Sequence, residues 1–312
     1  MAIRLPGHSR FLATAMLLLG AAMLPLPAQD ALASRIAHTD PAKYVFSASA
    51  HEGPAGGYRR ITLLGSRVNS NLESNLLFMN RGELPPNGGI GHHFHHDIEE
   101  MFIILDGEAQ FTVDGRTAIL KGPAAAPCKM GHSHAIWNHT DKPVQWMNFS
   151  VARVWGKYDA ENLGDDRIGV PVDPKPVFTH MRLDPALLKN EPAYRGGKGT
   201  ARYRRALFPE MFQTNWSYVD HLVLTPNSSE GLHRHDYVEE IYYVMRGSGR
   251  VTVGEETVEI KTGDAIPVHP REAHSVQSTG DEIEFMIFGL AIEKSRIDTT
   301  VLREGGSLTG RR

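Results

Sequence analysis

The stretch Asn87-Gly-Gly-Ile-Gly-His-His-Phe-His-His-Asp-Ile-Glu-Glu100 decides the fold, because the chain writes it twice. Its echo is Asn227-Ser-Ser-Glu-Gly-Leu-His-Arg-His-Asp-Tyr-Val-Glu-Glu240. Gly91, His93, His95 and Glu100 recur 140 positions later as Gly231, His233, His235 and Glu240, and the register runs on from Gly107 to Gly247 and from His134 to His274. Agreement at one offset on such uncommon residue types marks an internal duplication. What the duplication keeps is two histidines, a glutamate and a later histidine, the side chains that hold a divalent metal.

Side chains alternate between the two faces of a strand. His93 and His95 therefore point the same way, as do His233 and His235, while His92 and His96 face the other side. Glu100 or Glu240 opens the next strand and folds back beside its histidine pair, and His134 or His274 arrives from a distant strand. Three imidazoles and a carboxylate suit Mn, Fe, Zn, Ni or Cu and leave one or two coordination positions for water, dioxygen or substrate. The expectation is up to two divalent transition metals per chain, one on His93, His95, Glu100 and His134 and one on His233, His235, Glu240 and His274.

Outward from these motifs the chain reads as short apolar runs between turn signals. Glu100-Met-Phe-Ile-Ile-Leu105 closes on Asp106-Gly107, and Ala109-Gln-Phe-Thr-Val113 on Asp114-Gly115. Strands of this length at regular spacing, with no helical period, predict an all-β sandwich or barrel in each half. The expected layout is a first domain at 34–155, a mostly irregular linker at 156–200, a second domain at 201–295 and a tail at 296–312. In the linker, Asp184-Pro-Ala-Leu-Leu-Lys-Asn190 has the cap and first-turn proline of a short helix.

Composition bounds the function. A net charge of −3 and a pI near 6.6 give no basic footprint for nucleic acid. Arg4 and Arg10, the apolar run Phe11–Leu24 and Ala31-Leu32-Ala33 follow the order of a secretory signal, so residues 1–33 read as an export segment. The mature chain is then periplasmic or secreted, with no stable membrane association. Cys128 is the single cysteine, so no intramolecular disulfide forms, and the residue reads as a small buried side chain. Tyr58-Arg-Arg60 and Tyr203-Arg-Arg205 precede the two motifs at an offset of 145 and could present guanidinium groups to a carboxylate. Glu99 and Glu239 lie on the strand face opposite the ligands and read as structural. His132, His139 and His269 flank the later histidines as candidates for hydrogen bonding to ligands or for proton transfer.

These residues resemble the two sequence motifs of the cupin superfamily. His93-x-His95-x4-Glu100-x6-Gly107 and His233-x-His235-x4-Glu240-x6-Gly247 match the first, Gly-x5-His-x-His-x3–4-Glu-x6-Gly. Gly131-x2-His134-x3-Asn138 matches the end of the second, with Lys129 in place of its proline. In the other half, Arg271 replaces the motif glycine and Ser278 the asparagine. Gly122 stands one residue further from His134 than Gly263 does from His274, which predicts a bulge. The resemblance spans 75–151 and 215–290 and implies a bicupin: two double-stranded β-helix (jelly-roll) barrels in tandem, each with a metal in its mouth.

It also implies a metal-dependent enzyme acting on a small oxygenated organic substrate, with oxygenase or decarboxylase chemistry of the kind bicupin dioxygenases and oxalate decarboxylases perform. Met101 and Ile241 stand where oxalate decarboxylases carry a tryptophan after the ligand glutamate, and their Ser-Glu-Asn-Ser-Thr lid segment is absent from the sequence. Two alternatives stand beside this reading: a redox-neutral isomerase or lyase on a sugar or hydroxy acid, and a non-catalytic protein binding metal or a small molecule. By analogy with other bicupins, homo-oligomers form, with the arms at 34–57 and 291–312 as candidates for exchange.

Overall fold

In the computed structural model of the chain, residues 31–66, 68 and 71–302 are described; all of the expected export segment except its last three residues lies outside them. The duplication becomes two β barrels of the same plan, each a seven-stranded sheet facing a five-stranded one. In the first barrel the larger sheet runs Met181–Arg182, Ala124–Cys128, Ile98–Ile104, Val144–Ala152, Leu76–Leu84, Tyr58–Leu64 and Val45–Ser47. The smaller runs Glu161–Asn162, Gly89–His95, His132–Trp137, Glu108–Val113 and Arg116–Lys121. The second barrel repeats this order, with His233–Arg234 and His274–Ser278 adjacent in its smaller sheet. All pairings are antiparallel within a closed double sheet, the jelly-roll solution to exposed strand edges.

The barrels join through their larger sheets. Met79, Met101, Met147 and Phe149 of the first share one apolar cluster with Trp216, Val219, Met286 and Phe288 of the second. Phe149 stacks on Phe288 with ring centroids 4.0 Å apart. Two buried carboxylates flank this core, related by the duplication. Glu99 accepts from the backbone N–H groups of Gln213 and Thr214, each at 2.8 Å, and from the Thr214 hydroxyl. Glu239 accepts from Glu73 N and Ser74 N at 3.1 Å and contacts His269 Nδ1 at 2.7 Å. Each barrel thus holds a loop of the other.

The linker is mostly irregular but is stitched down: Glu161–Asn162 and Met181–Arg182 extend the first barrel's two sheets, and Lys189–Pro192 extends the second's. The expected helix after Asp184 is a single 3-10 turn, Pro185–Leu187, capped by the Asp184 carboxylate. The N-terminal arm departs from the first domain: Ala37–His38 pairs with Asp264 and Ala265, giving the second barrel the edge strand that Met181–Arg182 gives the first. Leu32, within the expected export segment, is fully buried in the second barrel's core, and Arg35 forms an ion pair with Glu272. Burying a leucine contributes about 2 kcal/mol, so this arm belongs to the folded unit.

Two local expectations change, and one motif departure proves conservative in backbone. No bulge follows Gly122, because Gly122 N and Thr262 N donate to the matched carbonyls of Gly107 and Gly247; the turn glycine simply stands one position later in the second half. Arg271 keeps the left-handed backbone of Gly131, with φ of 72° against 77°. The two Tyr-Arg-Arg triplets are not equivalent: Arg60 pairs with Gly82 whereas Tyr203 pairs with Leu222, so Tyr203 matches Arg60.

Candidate metal centres

Strand alternation delivers the ligands as read. His93, His95, Glu100 and His134 converge, as do His233, His235, Glu240 and His274; within each set the donor atoms lie within 4.8 Å of one another and every residue is buried. In the first barrel, His134 Nε2 is 3.0 Å from His93 Nε2 and 3.1 Å from His95 Nε2, and His95 Nε2 is 3.5 Å from Glu100 Oε2. Donors about 2.1 Å from a shared ion stand roughly 3.0 Å apart at right angles. His93 Nδ1 donates to Gly91 O at 2.8 Å and His95 Nδ1 to Asp159 O at 2.8 Å, so their Nε2 lone pairs face inward. Burial pushes the His93, His95 and His134 imidazoles down, His95 to about 4, and keeps them neutral at neutral pH. Neutral imidazoles crowding their lone pairs together fit a divalent cation.

Supports around the clusters explain the motif's departures. Asn138 Nδ2 donates to Leu84 O, Pro85 O and Lys142 O, fixing the turn before the histidine strand. Ser278, its replacement, donates to Thr225 O and accepts from Ser228 N at the matched turn. Asp159 accepts from the amides of His96 and Asp97, and Asp298 from those of Asp236 and Tyr237; the Asp298 carbonyl contacts His235 Nδ1 as the Asp159 carbonyl does His95 Nδ1. This second duplicated aspartate was hidden in the sequence, being one residue at an offset of 139 in otherwise unlike segments.

The other named residues fall away from the ligands. His92 contacts Ser133 and Asp165 on the opposite strand face, and His96 contacts Glu161. His132, His139 and His269 contact Asp114, Glu108 and Glu239, none of them a ligand. Cys128 is buried and pairs in register with Glu100; burial first, and then the Glu100 charge, raise its thiol well above the usual range, so it stays protonated.

The surroundings of the two clusters differ. In the first, Asn148 Nδ2 donates to Glu100 Oε1 at 2.7 Å, and a cavity of about 140 Å³ adjoins the ligand, lined by Glu100, Asn148, Asn80, Thr62, Arg60 and His51 among others. His51, in the N-terminal arm, stacks on His93 with centroids 3.9 Å apart and lies between Asn162 Oδ1 at 2.7 Å and the Tyr158 hydroxyl at 3.1 Å. In the second, Tyr218 and Tyr242 donate to Glu240 at 2.7 and 2.9 Å, and the linker sends in Arg195, 3.0 Å from the buried Glu230. Burial works against the Glu240 charge, but His235 and the other two imidazoles hold its carboxyl well below the usual range. His51, Arg195 and Glu230 carried no sequence signal, because their duplicated partners are different residues.

Fold and site together define a double-barrel β protein built around two buried three-histidine, one-glutamate clusters. The chain belongs to the cupin superfamily, as a bicupin: the cupin domain family matches residues 80–150 and again 220–292. It is 36% identical over 111 residues to the "Oxalate-binding protein" of Thermotoga maritima, a match covering 35% of this chain and 89% of that one. Among solved structures, the Lactobacillus farciminis oxalate decarboxylase in its formate complex aligns with a TM-score of 0.58 at 15% identity, over 85% of this chain and 88% of that one. The salicylate 1,2-dioxygenase of Pseudaminobacter salicylatoxidans aligns with a TM-score of 0.57 at 15% identity, over 78% and 80%. At that identity these structures establish the shared fold.

Proposed function

We propose that the chain is an exported, metal-dependent enzyme whose first barrel takes a small carboxylate, a two- or three-carbon oxygenated acid of the oxalate class, for decarboxylase- or oxygenase-type chemistry. The observation that carries this is the cavity beside Glu100. Its roughly 140 Å³ is well below the ~300–1,000 Å³ of pockets for drug-sized ligands, so the substrate is small. Its wall carries Arg60, whose hydrogen bonds go to the neutral Thr62 hydroxyl at 2.8 Å and Asn80 Oδ1 at 3.4 Å. A guanidinium so placed presents a planar fork to a carboxylate. The name of the Thermotoga maritima relative agrees with that ligand class.

His93, His95, Glu100 and His134 would hold the divalent metal, which when bound supplies Lewis-acid or redox chemistry. Asn148 orients the Glu100 carboxylate. Arg60 neutralises and orients the substrate, and Thr62 and Asn80 keep its guanidinium in place. The Tyr158 hydroxyl and His51 Nε2, both on the cavity wall, hold a proton between them that can be passed to or taken from the bound acid.

The test is turnover of oxalate, short keto acids, catechols and salicylate by the full chain loaded in turn with Mn, Fe and Cu, following dioxygen uptake and CO₂ or formate release. The proposal expects turnover that Arg60→Leu reduces at least ten-fold with metal content unchanged. Turnover that survives Glu100→Ala would contradict it. A second reading, a non-catalytic binding protein, is favoured by the relative's name; saturable oxalate binding with no product under any metal would establish it instead.

A further inference from the structure

The second cluster is surrounded by larger and more charged side chains than the first. His51 and Arg195 occupy matched places: both have a left-handed backbone, φ 54° and 52°, and the carbonyl of each lies where a Cβ on Gly91 or Gly231 would meet it at 2.0 Å. The preceding residues, Ala50 and Tyr194, match as well. By strand register Tyr203 stands for Arg60, and Arg205, opposite Asp220, for Thr62, opposite Asn80. Tyr194 stacks on Tyr203 at 5.0 Å, and Arg205 grips Asp220 at 2.9 and 3.1 Å while lying 4.0 Å over the Tyr218 ring. In the second barrel Tyr194 and Arg205 thus stand where the first has Ala50 and Thr62 beside its cavity.

Arg195 goes further in. Its Nη1 contacts His233 Nε2, lies 3.0 Å from Glu230 Oε1 and is 3.9 Å from Glu240 Oε1. His233 Nδ1 donates to Gly231 O at 2.9 Å, so its Nε2 carries the lone pair, and the guanidinium, which has only donors, uses it. That is the lone pair a metal ion would take. Glu230 is buried at 1% exposure, with one oxygen toward Arg195 and the other 3.1 Å from the Tyr242 hydroxyl. The first barrel has Ile90 at the Glu230 position, and among the described residues no guanidinium contacts its histidine ligands.

We propose that Arg195 is the resident cation of the second barrel: held by Glu230, its guanidinium covers the His233 face of the cluster, so that a divalent ion binds there much more weakly than in the first barrel. Two like charges a few ångströms apart inside a barrel repel strongly, and the ion enters only as the guanidinium leaves His233. The two halves then divide the work. The first keeps the exchangeable metal and the substrate cavity, and the second is a self-neutralised core. The inference rests on the clusters being metal sites, and its test separates the two ideas.

Full-length chain is stripped with chelator and titrated with Co²⁺, reading visible absorption and bound metal by equilibrium dialysis. Glu240→Ala isolates the first site and Glu100→Ala the second. The second should bind at least ten-fold more weakly than the first. Adding Arg195→Met with Glu230→Gln to the Glu100→Ala protein should tighten it at least ten-fold; the double change removes the Arg195–Glu230 pair together instead of stranding Glu230. Should that variant fail to fold, Arg195→Gln alone, which removes the charge while its amide can still donate to Glu230, should tighten binding in the same direction. Equal affinity at the two sites, or no gain on removing the guanidinium, overturns the proposal. No Co²⁺ at either site overturns the metal reading itself, a separate pattern.

Discussion

Glu99→Ala should weaken the union of the two barrels without touching either metal cluster, although it is the neighbour of Glu100. The carboxylate is buried at 1% exposure and accepts from two backbone amides and a hydroxyl of residues 213–214, across the barrel interface. Hydrogen bonds to a charged group contribute about 1.5–3 kcal/mol each, and truncation leaves the donors without an acceptor. They are not additive, and leaving two amides and a hydroxyl buried without an acceptor costs about 1–3 kcal/mol each, roughly 4 kcal/mol together. At about 2–4 °C per kcal/mol for a chain of this size, Tm should fall by roughly 8–16 °C for a loss of about 4 kcal/mol. The assay is calorimetry of metal-loaded wild type and variant, with Glu73→Ala as control, since the Glu73–Arg271 ion pair is half exposed and contributes about 1 kcal/mol at most. Bound metal should be the same in all three. A Tm within the control's range, or loss of a metal equivalent in Glu99→Ala, would refute the assignment.

Three further outcomes follow from the structure. Asp159→Ala releases the loop whose carbonyl orients His95 Nδ1; metal affinity of the first site should fall about 10–100-fold in a chelator competition while the second is unchanged. Leu32→Ala should cost about 2–5 kcal/mol in a urea melt, and N-terminal sequencing of the mature protein should find Leu32 retained; a mature chain starting at Ser34 would contradict the packing. For pH, His95 is held near 4 in the folded chain against 6.5 unfolded. Between those values only the unfolded chain takes the proton, so metal-free stability is full above about 6.5 and falls toward pH 4, by about 1.4 kcal/mol per unit from this residue. His95→Gln should remove that much of the slope in denaturation series at pH 7, 6 and 5, and an unchanged slope would count against it.

The clusters were legible because they rest on a period-two strand rule and on residue types that the duplication repeats; His93, His95, Glu100 and His134 needed nothing more. The all-β architecture followed from the same short runs and turns. What was hidden lay where the two halves differ. His51 and Arg195 enter through loops, at an offset of 144 and as unlike residues, so no internal comparison aligns them. The Tyr-Arg-Arg triplets show the opposite: identical letters sit two residues out of structural register, so only Arg60 of the first lies where Tyr203 stands in the second. The small-x-small pattern at Ala31-Leu32-Ala33 is compatible with cleavage and is silent about the burial of Leu32. Strand alternation puts Glu99 and Glu239 on the face away from the ligands, but their partners lie 114 and 166 residues away, across an interface that no local pattern announces.

The most direct test is elemental analysis of the chain purified from its native compartment, alongside Glu100→Ala and Glu240→Ala. A divalent transition metal is expected at close to one tightly held equivalent, abolished by Glu100→Ala and largely kept in Glu240→Ala. Metal content untouched by Glu100→Ala would contradict that expectation.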